Sequence, residues 1–285
     1  MENIPLKTVD VREILKDRVV LFVGDSIVRG IFKDLACLLT GNDRLLYDQE
    51  LKFNRHENKQ GLFGEVIDLF TVDRKNSIFN QEKRVLRSTE DHYSITFVFC
   101  SRVWNKTMSQ LIANIDAYDI VFMCSQIWDL TRYRDEYGEI YLKNIDLLFD
   151  KLKLSGKHVI WIVTPPVDNR QYTKLDQLMS NINSLVISKA VDRDFSVLNL
   201  NKDLQNYLHL RSNDGLHWSP EGHRIITRLL INCIGKIPKN NIPNENDSMH
   251  YVSFFYLKKK KKMSLRNVLI LPVRVLQIRE CCFTN

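Results

Sequence analysis

One serine directly follows an apolar run near the start of the chain. Residues 19–23 are all apolar, Gly24 allows a tight turn, and Ser26 falls where a helical pattern begins. This order predicts that the hydroxyl lies at the carboxyl edge of a sheet, where ligands bind in open α/β folds. The positive end of the helix dipole there favours a developing oxyanion. Taken alone, however, Ser26 is more simply explained as a helix N-cap.

A second chemical group lies in the sequence NDGLHWSPEGHR. Ser219 and Pro220 are typical N-cap and first-turn residues, so Asp214 and His217 are predicted to lie on the loop before the last helix. A serine nucleophile needs a base within hydrogen-bond reach and a third group that orients the base. His217 can act as that base and Asp214 as the orienting group. Equally, Asp214 can shape an Asp-Gly turn while His217 packs against Trp218.

Short apolar runs alternate with helical patterns along most of the chain. Unbroken apolar runs suit strands buried on both faces, and their alternation with helices predicts a parallel sheet flanked by helices. The predicted strands are 19–23, 95–99, 120–124, 159–163 and 195–200, and the predicted helices are 27–39, 136–154, 175–191 and 221–234. The polar segment 47–93 is predicted to form loops with a small hairpin.

Charge divides the chain into two parts. The 285 residues carry a net charge of +7, but residues 241–285 hold eight Lys and Arg against three Asp and Glu, which leaves 33 against 31 elsewhere. The nearly balanced body gives no electrostatic reason to expect a nucleic-acid partner. A Pro- and Asn-rich stretch separates the two parts. We therefore predict one domain over residues 1–240 and a basic, disordered tail over residues 241–285.

The tail and the cysteines bear on location and partners. The lysine run from Lys258 to Lys262 allows a weak contact with an anionic surface, and the last four residues have the bare form of a prenylation box. The N-terminus lacks the apolar segment of a secretory signal, and no apolar stretch is long enough to span a membrane. The six cysteines form no CxxC pair, so free thiols and an intracellular location, cytoplasmic or nuclear, are expected.

The histidines give no sign of a metal centre. They show no metal-ligand spacing, and the chain has no phosphate-binding glycine loop, so no metal or cofactor is expected. His223 is predicted to lie on the surface of the last helix.

Combined, Gly24-Asp25-Ser26 and Asp214-x-x-His217 have the chain order of GDSL/SGNH hydrolases. More closely, the chain resembles the PC-esterase domain-containing proteins, a GDSL-like group of predicted acyl esterases. The segments that carry the resemblance are VVLFVGDSIVRGIFKDL, FVFCSRVWN, SQIWDLTRYR and DGLHW, within residues 15–235. The resemblance implies a flavodoxin-like, three-layer SGNH-hydrolase α/β fold with a mostly parallel, five-stranded sheet flanked by helices.

The resemblance also implies an activity and its residues. It implies an acyl-ester hydrolase of unknown substrate, such as acyl groups on glycans or other modified polymers, with no cofactor. Ser26 matches the family's nucleophile, His217 its base and Asp214 the residue that orients the base. Gly24 and Asp25, which flank the nucleophile, are candidates for substrate or oxyanion binding.

The oxyanion hole departs from the family pattern. SGNH enzymes use a Gly-x-Asn-Asp motif, but here Trp128 replaces the asparagine and only Asp129 is kept. No glycine stands in residues 101–104 either, and loss of one oxyanion donor lowers the rate by about 10²–10³-fold. Arg102 is a candidate replacement donor, or it pairs with Asp129 and ties two strand ends together. The competing hypothesis is therefore a catalytically inactive SGNH domain that binds a ligand or a protein partner.

Overall fold

The computed structural model describes residues 6–41, 43–52, 61–71, 80–133 and 138–239. These residues form one sheet whose strands lie in the order β2-β3-β4-β1-β5-β6-β7. The strands are β1 Val19–Gly24, β2 Val66–Thr71, β3 Asn80–Arg87, β4 Ser94–Phe99, β5 Ile120–Met123, β6 His158–Val163 and β7 Ser196–Asn199. Strands β4, β1, β5, β6 and β7 run parallel to one another. At one edge, β3 pairs antiparallel with β4, and β2 pairs antiparallel with β3.

Helices cover both faces of the sheet. Helices α1, α2 and α9 pack against one another, and α6 packs against α7, which also contacts β6 and β7. The helices are α1 Thr8–Leu15, α2 Ser26–Thr40, α3 Asp48–Leu51, α4 Lys106–Ile112, α5 Ile127–Thr131, α6 Glu139–Leu154, α7 Thr173–Val191, α8 Leu200–Asp203 and α9 Pro220–Gly235, with 3₁₀ turns at Ile115–Ala117 and Gln205–Leu210. The predicted three-layer α/β fold with a mostly parallel sheet is confirmed.

The predicted strand count of five is wrong, because the described residues contain seven strands. The two additional strands, β2 and β3, lie in the polar segment 47–93 and form an antiparallel pair, in agreement with the small hairpin predicted there. In β3 the buried side chains include Glu82 and Arg84, which are almost completely excluded from solvent. A strand whose buried positions carry charges does not show the apolar pattern by which buried strands are recognised.

Helix α2 is the most deeply buried helix near the predicted nucleophile, and two of its charged residues are fully buried. Asp34 accepts from the Arg224 Nε at 3.0 Å, which ties α2 to α9. Lys33 donates from Nζ to the carbonyl oxygens of Glu50 and Lys52, at 2.8 and 2.9 Å. Because buried charges are tolerated only with partners, these contacts fix the position of α2.

The ends of the predicted helices lie within a few residues of the observed ends. The predicted N-cap Ser219 accepts from the N–H of Gly222 at 3.2 Å, and Pro220 is the first residue of α9. Strand β7 ends at Asn199, earlier than predicted, because the Asn199 side chain caps α8 by accepting from the N–H of Lys202. The predicted start of α6, at residue 136, lies outside the described residues.

The predictions about membrane-spanning segments and free cysteines can be compared with the structure only over the described residues. Within the described ranges, no helix has the length and apolarity that a membrane crossing requires. The cysteines of those ranges are free thiols, at Cys37, Cys100, Cys124 and Cys233. The basic tail of residues 241–285, with its lysine run and its two cysteines, lies outside the described residues.

His223 is buried, so its predicted surface position is wrong. Only 3% of the residue is exposed, and its ring lies against Gly30 of α2, where an added Cβ would stand 2.2 Å from the ring Cε1. The ring Nδ1 has no hydrogen-bond partner among the described residues. Burial, with a smaller contribution from the charge of His217, lowers the pKa of His223 to about 3.

The low pKa of His223 predicts an acid-dependent loss of stability. Between the unfolded pKa of about 6.5 and the folded pKa of about 3, the unfolded chain binds one proton more, so the unfolding free energy falls as the pH falls. We expect a His223→Gln variant to lose up to about 1.4 kcal/mol per pH unit less than wild type between about pH 6 and pH 4, measured by urea unfolding. The exposed His158→Gln variant is the control and should keep the wild-type slope; equal slopes in all three proteins contradict the prediction.

Candidate active site

Ser26 is the first residue of α2 and directly follows the turn at the carboxyl end of the central strand β1. The N-cap of α2 is Asp25, whose Oδ1 accepts from the N–H of Ile27 at 2.9 Å. The interpretation of Ser26 as an N-cap is therefore wrong. Because Asp25 satisfies the helix end, the partly exposed Ser26 hydroxyl is available for other contacts.

The structure brings Ser26, His217 and Asp214 together. Ser26 Oγ lies 2.8 Å from His217 Nε2, and His217 Nδ1 lies 2.6 Å from Asp214 Oδ2. A proton on Nδ1 donates to the carboxylate and leaves Nε2 free to accept from the serine hydroxyl. The three side chains thus form one continuous line of hydrogen bonds.

Asp214 is also held by the backbone of its own loop. Its Oδ1 accepts from the N–H groups of Leu216 and His217, each at 2.9 Å. Partial burial alone raises the pKa of Asp214, but these two N–H groups and the His217 ring outweigh burial and hold the pKa below its usual value. Asp214 is therefore a carboxylate at neutral pH, as a partner of an imidazolium must be.

The loop that carries Asp214 is braced by the segment after β6, which sequence reasoning did not single out. The Asp168 N–H donates to the Gly215 carbonyl at 2.8 Å, and the Tyr172 hydroxyl donates to the Asp214 carbonyl at 3.1 Å. Gln171 donates to the Asn213 carbonyl at 3.2 Å. These bracing residues lie more than forty positions before the loop, with no motif that joins them to it.

Gly24 is needed for the close approach of β1 to its neighbours. A Cβ at this position would lie 2.4 Å from Val28 Cγ2 and 2.7 Å from the Cys124 carbonyl oxygen. Asp25, adjacent to it, is only 4% exposed, and burial raises the pKa of its carboxyl. Both residues thus hold the turn that presents Ser26, and their predicted contact with substrate or oxyanion stays a prediction.

Asp129 of α5 ties the loop after β4 to the segment between β5 and α5. Its carboxylate is 3% exposed and accepts from the Val103 N–H at 3.0 Å and from the Ser125 hydroxyl at 2.5 Å. The adjacent Trp128 packs edge to face against Phe99, with 6.2 Å between the ring centroids. Phe99 is the register partner of Gly24, so Trp128 lies on the edge of the sheet that carries Ser26.

Arg102 contacts an aromatic ring. Its Cζ lies 3.9 Å from the centre of the Tyr133 ring, and the Tyr133 hydroxyl lies 2.9 Å from Ser101 Oγ. The predicted ion pair between Arg102 and Asp129 is wrong, since no such pair forms and the Arg102 Nε is buried without an acceptor in the part of the chain the structure describes.

A line of buried charges leads away from the nucleophile and was also missed by sequence reasoning. Arg29, one turn after Ser26, pairs with Glu82 at 2.7 Å; Glu82 also binds Arg84, and Arg84 pairs with Glu65 at 2.9 Å. These contacts fix the antiparallel strands of the sheet edge against the start of α2. The pairs Arg29–Glu82 and Arg84–Glu65 join separate elements, so no signal in the sequence relates their members.

Metal binding has no structural basis among the described residues, where no group of three or more His, Cys, Asp or Glu side chains is arranged to hold an ion. The expectation that no metal or cofactor takes part stays a prediction.

The order of the sheet and the placement of Ser26 at its carboxyl edge define the three-layer α/β fold of the SGNH hydrolases. A lipase/acylhydrolase from Enterococcus faecalis has this fold, with a TM-score of 0.50 and 14% sequence identity over 78% of this chain and 99% of that one. No family model matches the chain.

The chain is also similar in sequence to two human proteins. The human PC-esterase domain-containing protein 1B is 29% identical over 252 residues, 79% of this chain and 56% of that protein. The human PC-esterase domain-containing protein 1A is 26% identical over 262 residues, 82% of this chain and 56% of that protein. The chain is a homologue of the PC-esterase domain-containing proteins, which confirms the resemblance, and it spans about half the length of these relatives.

Proposed function

We propose that the chain is an acyl-ester hydrolase in which Ser26 is the nucleophile, His217 the general base and Asp214 its orienting partner. The observation that carries this proposal is the line of hydrogen bonds from Ser26 Oγ through both ring nitrogens of His217 to Asp214. The relatives and the fold neighbour are named as esterases or acylhydrolases, which supports the same class of reaction.

The reaction proceeds in two halves. Ser26 Oγ attacks the ester carbonyl carbon while its proton passes to His217 Nε2, and the tetrahedral intermediate collapses when Nε2 returns the proton to the departing alcohol. A water molecule then attacks the acyl-enzyme carbonyl carbon while one of its protons passes to Nε2. The second tetrahedral intermediate collapses when Nε2 returns that proton to Ser26 Oγ, and the acid is released. Asp214 remains ionised throughout and stabilises the imidazolium formed in each half.

The oxyanion of each tetrahedral intermediate forms beside the start of α2. The backbone N–H of Ser26 belongs to the first turn of α2, where N–H groups have no intrahelical acceptor. We propose this N–H as one donor, with Gly24 and Asp25 holding the turn that aims it. Arg102 on the loop after β4, and Trp128 and Asp129 of α5, form or support the substrate-binding rim.

A fluorophosphonate probe tests the proposed nucleophile directly. We expect stoichiometric labelling of the wild-type chain, with the modified peptide containing Ser26 by mass spectrometry. A Ser26→Ala variant should stay unlabelled, whereas Ser109→Ala, which removes an exposed serine of α4, should label like wild type. Labelling of Ser26→Ala at the wild-type rate would show that another residue is the nucleophile.

The second candidate function is a catalytically inactive SGNH domain that binds a ligand or a protein partner. It is favoured by one observation, the bulky Trp128 in place of the family's oxyanion asparagine. A folded wild-type chain that neither reacts with the probe nor hydrolyses para-nitrophenyl acetate or an O-acetylated sugar would favour this function.

For the proposed esterase, acyl groups on glycans are the proposed substrates. Residues 1–240 are the proposed catalytic domain, and residues 241–285 are a separate basic tail.

A further inference from the structure

Arg102 differs from the other buried or partly buried arginines near the nucleophile. Arg29 and Arg84 are each paired with a buried glutamate. Arg102 makes neither an ion pair nor a hydrogen bond with its side chain in the described ranges, and its Nε is buried without an acceptor. A guanidinium carries five donors and is always charged, so an unpartnered one in a partly buried position is costly unless an anion binds there.

Tyr133 holds the Arg102 side chain in one place. The Arg102 Cζ lies 3.9 Å from the ring centre, well within the range of a cation–π contact, and the ring hydroxyl is fixed by Ser101 at 2.9 Å. This contact provides the guanidinium with an aromatic ring but with no hydrogen-bond acceptor, so its N–H groups stay available to an acceptor. An anchored guanidinium loses little side-chain entropy when it binds a carboxylate.

The backbone places Arg102 on the edge of the sheet that carries Ser26. The Cys100 N–H donates to the Gly24 carbonyl at 2.8 Å, and the Val103 N–H donates to Asp129 at 3.0 Å. The loop that bears Arg102 is thus attached on one side to Gly24, two positions before the nucleophile, and on the other to Asp129 of α5. A second, exposed cation, Arg132, directly follows α5, and its Cζ lies 5.3 Å from the Trp128 ring.

We infer that Arg102 binds a carboxylate of the substrate, so that the preferred substrates are acyl esters that carry a carboxylate near the ester bond. This inference rests on the proposed function, because it assigns the charge of a substrate to the same site. This role differs from that of an oxyanion donor, which stabilises the tetrahedral intermediate of every ester equally. Arg102 as a carboxylate ligand acts only on esters that carry the charge.

Two pairs of esters of matched shape separate these roles. In one pair the charge lies on the alcohol side, para-acetoxybenzoate against para-acetoxybenzamide; in the other it lies on the acyl side, mono-para-nitrophenyl succinate against para-nitrophenyl succinamate. We expect wild type to prefer the anion in at least one pair by about tenfold in kcat/KM, the equivalent of one charge-assisted hydrogen bond at a partly exposed site. In Arg102→Met the ratio should fall to near one, and Arg102→Lys should restore part of it.

The control is Arg87→Met. Arg87 is exposed and pairs in register with Ser94, at the opposite, amino edge of the sheet, so this variant removes the same charge and should keep the wild-type ratio. The inference is overturned if wild type shows no preference in either pair, or if Arg102→Met slows both esters of each pair equally.

Binding to the Ser26→Ala variant distinguishes failure of this inference from failure of the proposed function. Calorimetric titration with the same esters requires no turnover, so a preference for the anion that is abolished by adding Arg102→Met supports the inference even if the wild-type chain hydrolyses nothing. Equal affinity for the anion and the amide overturns it even if the wild-type chain is an active esterase.

Discussion

Replacing His217 by alanine is expected to lower kcat/KM for para-nitrophenyl acetate by about 10⁴-fold or more, as losses of a catalytic base do in serine hydrolases. The reason is the 2.8 Å contact between Ser26 Oγ and His217 Nε2, since without this base the hydroxyl keeps its proton and is a weak nucleophile. Initial rates measured at several substrate concentrations give the ratio. The effect should lie in kcat, because the imidazole acts on the proton of the nucleophile.

The control for His217 is His158→Ala. His158 is exposed at the amino end of β6, away from the edge that carries Ser26, and its loss should leave kcat/KM at the wild-type value. Added imidazole should restore part of the activity of His217→Ala, because a free base can occupy the space that the side chain leaves. A His217→Ala rate within tenfold of wild type would refute His217 as the general base.

The parallel part of the sheet was predictable because its strands obey a simple rule. Strands β1, β4, β5 and β6 are buried on both faces over most of their length, so their sequences are mainly apolar. The antiparallel strands at the edge were not predictable in this way, since Glu82 and Arg84 occupy buried positions of β3. Charges that neutralise one another across elements leave no periodic signal in the chain.

The candidate site was predictable to the extent that it is local in sequence. Asp214 and His217 lie three positions apart on one loop, and Ser26 follows a strand. The chain order of these residues resembles that of the GDSL/SGNH hydrolases, and this resemblance implies that the three act together. The brace from Asp168, Gln171 and Tyr172 comes from a different loop and acts mainly through backbone carbonyl groups, which any residue supplies. The contact of Arg102 with Tyr133 likewise depends on the meeting of two separate loops.

Replacing Asp214 by asparagine tests the orienting group with little change of shape. The asparagine Oδ1 can still accept from the N–H groups of Leu216 and His217, as the carboxylate does at 2.9 Å, so the loop should keep its conformation. Its amide NH₂ group, however, would face His217 Nδ1 and donate to it. The ring proton would then move to Nε2, the nitrogen that must accept the proton of Ser26.

We therefore expect Asp214→Asn to lower kcat/KM by about 10⁴-fold, through the wrong imidazole tautomer, while the melting temperature stays close to that of wild type. Asp214→Ala is the comparison, because it removes the acceptor for the loop N–H groups as well as the partner of the ring, and it should lower both activity and melting temperature. Wild type and Asp214→Asn share the contacts with the loop N–H groups and differ only in the carboxylate. If Asp214→Asn retains near wild-type activity, Asp214 therefore serves only to shape the loop.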